Sequence, residues 1–171
     1  MKKSVFMLAA FAAVSPFSLF SCTDDDEEPY TEFKDYDAFS ENKAAWSEPS
    51  SYSFSYVYDL GLSGSQKMVT VTVTNGEAAF DCDDSAALES YTKFDSISRI
   101  YEFFDSEWQS AKAEENKNLG ITFSATFETA DNGKIYPKKL SEKIDWLGNG
   151  DAPSGVGGEM SIAVSGFKFS E

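Results

Sequence analysis

The sequence predicts an α+β fold: an antiparallel sheet of about six strands with two helices packed on one face, in the order α-β-β-β-α-β-β-β. Three observations carry this. Tyr52, Phe54, Tyr56 and Tyr58 alternate with Ser51, Ser53, Ser55 and Val57, a period of two. Ile97, Ile100, Tyr101, Phe104, Trp108 and Ala111 recur with the 3.6-residue period of a helix. Short turn signals, Asn75-Gly76 above all, join neighbouring strands and so imply antiparallel pairing.

The first helix is predicted from Phe33, Tyr36, Phe39, Lys43 and Trp46, spaced by threes and fours, and Pro49 ends it. The first strand is the aromatic stripe just described. Residues Gly61 to Ser65 turn the chain into a second strand, Met68 to Thr74, where valine alternates with threonine. Asn75 and Gly76 both tolerate the positive φ of a type I′ turn, and a third strand follows to about Cys82. After a polar loop from Asp83 to Lys93, either Asp95 or Ser96 caps the second helix, which ends before Gly120. Ile121, Phe123, Ala125 and Phe127 mark the fourth strand. The turn Asp131-Asn132-Gly133 leads to a fifth with Leu140, Ile144 and Trp146, whose Pro137 implies an edge or a bulge. A glycine-rich loop, Gly148 to Gly158, precedes a sixth strand. Its apolar phase of Met160, Ile162 and Val164 slips at Gly166 to Phe167 and Phe169, as a bulge would cause.

Several of these residues also carry a resemblance. Trp46, Ser51-Tyr52-Ser53-Phe54, the run Val71 to Glu77, Ser96-Ile97, Ile121 to Phe127, Gly133, Tyr136-Pro137 and Gly166-Phe167 resemble the family called domain of unknown function 6174, over roughly Ala38 to Phe169. The resemblance implies a small secreted bacterial domain and brings no activity with it. Its motifs are core and turn positions, and the segment Ser141 to Glu159 departs from it.

The first 21 residues read as an export signal. Lys2 and Lys3 form a positive start, Val5 to Val14 a short apolar run, and Pro16 breaks it. A membrane span needs about 20 apolar residues, more than this run offers. Leu19-Phe20-Ser21-Cys22 resembles the lipobox of bacterial lipoproteins, although Phe20 is bulkier than usual there. The resemblance implies cleavage between Ser21 and Cys22 and lipidation of the Cys22 thiol. The domain organisation expected is a signal peptide over 1–21, an acidic tether over 22–32 and one domain over 33–171. Asp24, Asp25, Asp26, Glu27 and Glu28 repel one another and keep the tether solvated. An acidic run just after a lipidated cysteine also resembles the surface-export signal of lipoproteins from Bacteroidota-type bacteria. It implies an outer-membrane, lipid-anchored location with Asp24, Asp25 and Asp26 as the export signal, and a plain tether with the domain facing the periplasm stands as the alternative to cell-surface exposure.

Composition excludes several chemistries. With 14 basic and 29 acidic residues the net charge is −15, which disfavours nucleic acid and anionic lipid surfaces as partners. There is no histidine, so histidine-based nucleophilic, acid/base and zinc chemistry is absent. Of the two cysteines, lipidation of Cys22 would leave Cys82 without a disulfide partner. Asp81, Asp83 and Asp84 around it disfavour a thiolate, so Cys82 is expected to be a buried, unreactive side chain. Asp81, Asp83, Asp84 and Glu89 are close enough to suggest calcium, but Ala86 stands where an EF-hand needs glycine, and a solvated acidic loop is the expectation. No metal and no cofactor are expected. Asp84-Ser85-Ala86 and Asp95-Ser96-Ile97 resemble a Bacteroidota O-glycosylation acceptor, with Ser85 and Ser96 as candidates and helix capping a competing role for Ser96.

The functional expectation is a non-catalytic binding domain for a protein, peptide or glycan. A glycan-acting hydrolase using two carboxylates and a structural envelope subunit stand as alternatives. The tyrosine stripe is either core or a binding platform.

Overall fold

Tyr52, Phe54 and Tyr56 are buried to within 1% of full burial and form the floor of the core, which decides the stripe in favour of packing. The computed structural model describes residues 28–61, 66–82, 92–113, 118–154 and 156–170. The order is β1 (Tyr30–Phe33), α1 (Tyr36–Ala45), β2 (Tyr52–Asp59), β3 (Met68–Thr74), β4 (Glu77–Cys82), α2 (Ile97–Ala113), β5 (Leu119–Thr129), β6 (Ile135–Trp146) and β7 (Gly158–Phe169). One sheet runs β1-β5-β6-β7-β2-β3-β4. Two meanders, β2-β3-β4 and β5-β6-β7, meet where β7 pairs antiparallel with β2.

The sheet is mixed, with seven strands, because β1 lies parallel to β5. An antiparallel sheet of six was the expectation. Tyr30, Thr31 and Glu32 were assigned to the tether, yet they pair with Gly120, Ile121 and Thr122. The misreading has a physical cause: Phe33 and Tyr36 do meet, at 5.5 Å, but across the turn from β1 into α1 rather than along one helix. Trp46 likewise stands just past α1, in extended conformation.

Ile97, Ile100, Tyr101, Phe104, Trp108 and Ala111 of α2 are buried, and so is Phe39 of α1. The register places Val69, Val71, Val73, Ile162, Val164, Leu140, Ala125 and Phe123 on the same sheet face as Tyr52, Phe54 and Tyr56. Both helices cover that face, and the residues form one core. Phe33 is a junction within it, 5.0 Å from Phe39, 5.7 Å from Phe104, 5.5 Å from Trp108 and 5.8 Å from Phe123. The opposite face is open and built largely from small hydroxyl side chains. Ser55 bonds Thr70 at 2.9 Å and Ser124 bonds Ser141 at 2.8 Å across it.

The turn signals fall where expected. Asn75 and Gly76 take φ of 52° and 83°, the two positive values of a type I′ turn. Opposite Phe54, the β7 partner moves from Lys168 to Ser165 with Gly166 at φ 63°, a glycine-led bulge. That extra residue turns Phe167 onto the core face, 4.8 Å from Tyr136 and 5.3 Å from Tyr52. Lys138 is the extra residue of a second bulge, next to Pro137. The β6–β7 ladder begins only at Lys139, so the N–H that proline lacks is not missed on that side.

Candidate functional site

The segment joining α1 to β2 fixes the start of α2 and the surface around Trp46. Glu48 accepts hydrogen bonds from the Trp46 indole at 2.8 Å, from the Ser98 amide at 2.9 Å, and from the hydroxyls of Ser98 and Tyr52. A carboxylate thus sits at the N-terminus of α2, where orphan amides and the helix dipole favour negative charge. The Tyr52 hydroxyl also accepts the Ile97 amide at 3.3 Å, and the Tyr56 hydroxyl accepts the Lys93 and Phe94 amides at 3.1 and 3.3 Å. The aromatic stripe therefore packs by its rings and aligns the entry to α2 by its hydroxyls. Burial raises both phenols, Tyr52 well above the usual tyrosine range, where the Glu48 bond adds to the effect.

Two shallow depressions lie along α2, and a third lies between the end of α1 and the turn into β6. The first, about 270 Å³, has Lys93, Phe94, Arg99, Glu102 and Phe103 in its lining. The second, about 130 Å³, lies between Lys43, Trp46, Ser98, Tyr101 and Glu102. The third, about 250 Å³, is bounded by Asn42, Trp46, Gly133, Lys134 and Ile135. Glu102 borders the first two and Trp46 the last two, which makes a discontinuous groove. Ile135 is 42% exposed at its end.

Lys43, Lys93, Arg99 and Lys134 line these depressions, and Glu102 lines two of them. Lys134 donates to the Ser47 carbonyl at 2.6 Å and stands 5.5 Å from the Trp46 ring centroid. Lys93 lies 4.1 Å from the Phe103 ring centroid and 4.7 Å from that of Tyr58. Arg99 pairs with Glu102 at 3.1 Å and Lys43 with Asp105 at 2.5 Å. Burial alone would raise the Asp105 carboxyl, but bonds from Lys43 and Gln109 and the Lys43 charge hold it below the usual range. A general acid needs the opposite shift.

Of the residues singled out from sequence, Ser21, Cys22, Asp24, Asp25, Asp26, Asp83, Asp84, Ser85 and Glu89 lie outside the described residues. Ser96 caps α2: its hydroxyl accepts the Arg99 amide at 3.2 Å and donates to Asp95 at 3.0 Å. Asp81 is exposed on β4. Cys82 is free but half-buried, less enclosed than expected, because β4 is the outermost strand and its inner row covers only the rim of the core. Among the described residues no group of three or more histidine, cysteine or acidic side chains is placed to hold a metal, and no helix is long and apolar enough to cross a membrane. Sequence reasoning had not singled out Glu48, Lys134 or Ile135: the fold brings Lys134 and Ile135 to Trp46, and Glu48 to the start of α2.

No family model matches the chain, and neither the curated proteins nor the solved structures searched hold a match.

Proposed function

We propose that this protein is a lipid-anchored, non-catalytic binding domain of a bacterial outer membrane, carried through Cys22, exported by Asp24, Asp25 and Asp26, and holding a glycan along α2. The observation that carries the ligand reading is the groove beside Trp46. Aromatic and apolar surface from Trp46, Tyr101 and Ile135 is edged by Asn42, Ser98, Lys43 and Lys134. Aromatic surface interleaved with polar side chains, in depressions this shallow, suits a glycan lying on the surface better than a small molecule enclosed in a pocket. Lys134 beside Trp46 favours a glycan that bears a carboxylate, while Lys43 and Arg99 are already matched by Asp105 and Glu102. The likeness to the domain of unknown function 6174 family belongs to the same proposal, resting on the residues quoted above.

Oligosaccharide binding by the purified protein tests the ligand reading. Acidic glycans should bind and neutral ones bind more weakly, with Trp46→Ala and Lys134→Ala each losing about tenfold. Binding indifferent to both substitutions would refute it. The anchor is tested separately: Cys22→Ala should abolish labelling by a fatty-acid analogue, and continued labelling would refute lipidation. Replacing Asp24, Asp25 and Asp26 by alanine should retain the lipid but lower surface display.

A further inference from the structure

The outer edge of β4 is the best-formed unused recognition element in the molecule. β4 runs six residues, Glu77 to Cys82, and pairs with no strand on its outer side among the described residues. Thr74 and Glu77 flank the two-residue turn and so exchange both hydrogen bonds, and the alternation of an antiparallel ladder then fixes the rest. Glu77, Ala79 and Asp81 direct their amides and carbonyls to β3. Ala78, Phe80 and Cys82 direct theirs outward, where no bond to another described residue meets them. Exposed edges are commonly blunted by lysine, proline or a bulge. β4 contains neither residue, and its register with β3 is unbroken.

The two faces of this edge differ. On the helix side Ala78, Phe80 and Cys82 are half-buried and pack against the core. On the open side Glu77 and Asp81 are exposed on either side of Ala79. A depression of about 450 Å³, with Thr72, Thr74, Glu77 and Ala79 in its lining, lies beside them. We infer that β4 takes an extended peptide as an added strand, its side chains alternating between apolar ones against Phe80 and Cys82 and basic ones against Glu77 and Asp81. Main-chain bonds supply the attachment and the two acids select the partner. A second copy of this chain fits poorly, because β4 paired with itself gathers the Glu77 and Asp81 of both copies on one face.

Amide hydrogen exchange of the full chain, with a short peptide of alternating lysine and valine as probe, tests this. The peptide should slow exchange at Ala78 and Phe80 about tenfold or more. Ala78→Pro removes an outward donor while leaving the bonds to β3, and should weaken binding about tenfold. Glu77→Lys with Asp81→Lys should transfer the preference to a peptide of alternating glutamate and valine, and this variant decides the matter if the proline variant does not fold. No slowing at these amides, or equal binding by the folded Ala78→Pro protein, would overturn the proposal. So would slowed exchange that grows with protein concentration without peptide, which would make a second copy the occupant.

Discussion

Glu48 accepts the backbone amide of Ser98 at 2.9 Å, so the start of α2 is capped by a carboxylate 50 residues upstream as well as by its own Ser96. The same carboxylate takes the Tyr52 hydroxyl and the Trp46 indole. Glu48→Ala should therefore cost about 1–2 kcal/mol, more than an ordinary surface substitution. Urea denaturation measures it, and a loss below a few tenths of a kcal/mol would contradict the capping role.

Two buried tyrosines should respond in opposite ways to loss of the hydroxyl. Tyr52 donates to Glu48 and accepts from Ile97, whereas the Tyr101 hydroxyl has no hydrogen-bond partner among the described residues. Tyr52→Phe should destabilise by about 1–2 kcal/mol, and Tyr101→Phe should be neutral or stabilising, since a buried polar group without a partner costs free energy. Equal losses in thermal melts would refute the distinction.

The alkaline limit of stability should be set by these phenols. Burial raises Tyr52, Tyr56 and Tyr101 above their ordinary range. A raised folded value means that the stabilisation is complete below the unfolded tyrosine pKa, about 10, and is lost as pH climbs from there towards the folded values. Their phenolate absorbance should appear together with loss of near-ultraviolet dichroism. Full ionisation with the dichroism intact would contradict their burial.

Asp105 predicts the opposite dependence. Its folded value is lowered, so its contribution is present above the unfolded carboxyl range and lost as pH falls through the folded value. Asp105→Asn should be less stable than the parent at neutral pH by up to about 1 kcal/mol, given that the pair with Lys43 is partly exposed. The gap should close in acid.

Much of the fold was legible because its signals are local. The α2 periodicity from Ile97 to Ala111, the turn at Asn75-Gly76 and the slip at Gly166 each depend on neighbours within a few residues. β1 was not legible. Four residues joined to β5 across about ninety positions leave no periodicity of their own, and Phe33 matched the helical spacing by coincidence. The candidate site was hidden for the same reason, since Glu48, Ser98, Lys134 and Ile135 come from three separate parts of the chain. Phe33→Ala supplies the check: as a core junction it should cost about 2–4 kcal/mol, whereas a tether residue would cost almost nothing.

The central claim is that the groove beside Trp46 is the binding surface. The most direct measurement is a two-dimensional NMR titration with an acidic oligosaccharide, following every assigned backbone amide and the tryptophan indoles. The account predicts saturable shifts at the Trp46 indole and at the amides of Asn42, Lys134, Ser98 and Ile135. Shifts confined to the open Ser/Thr face of the sheet, or none at all, would contradict it.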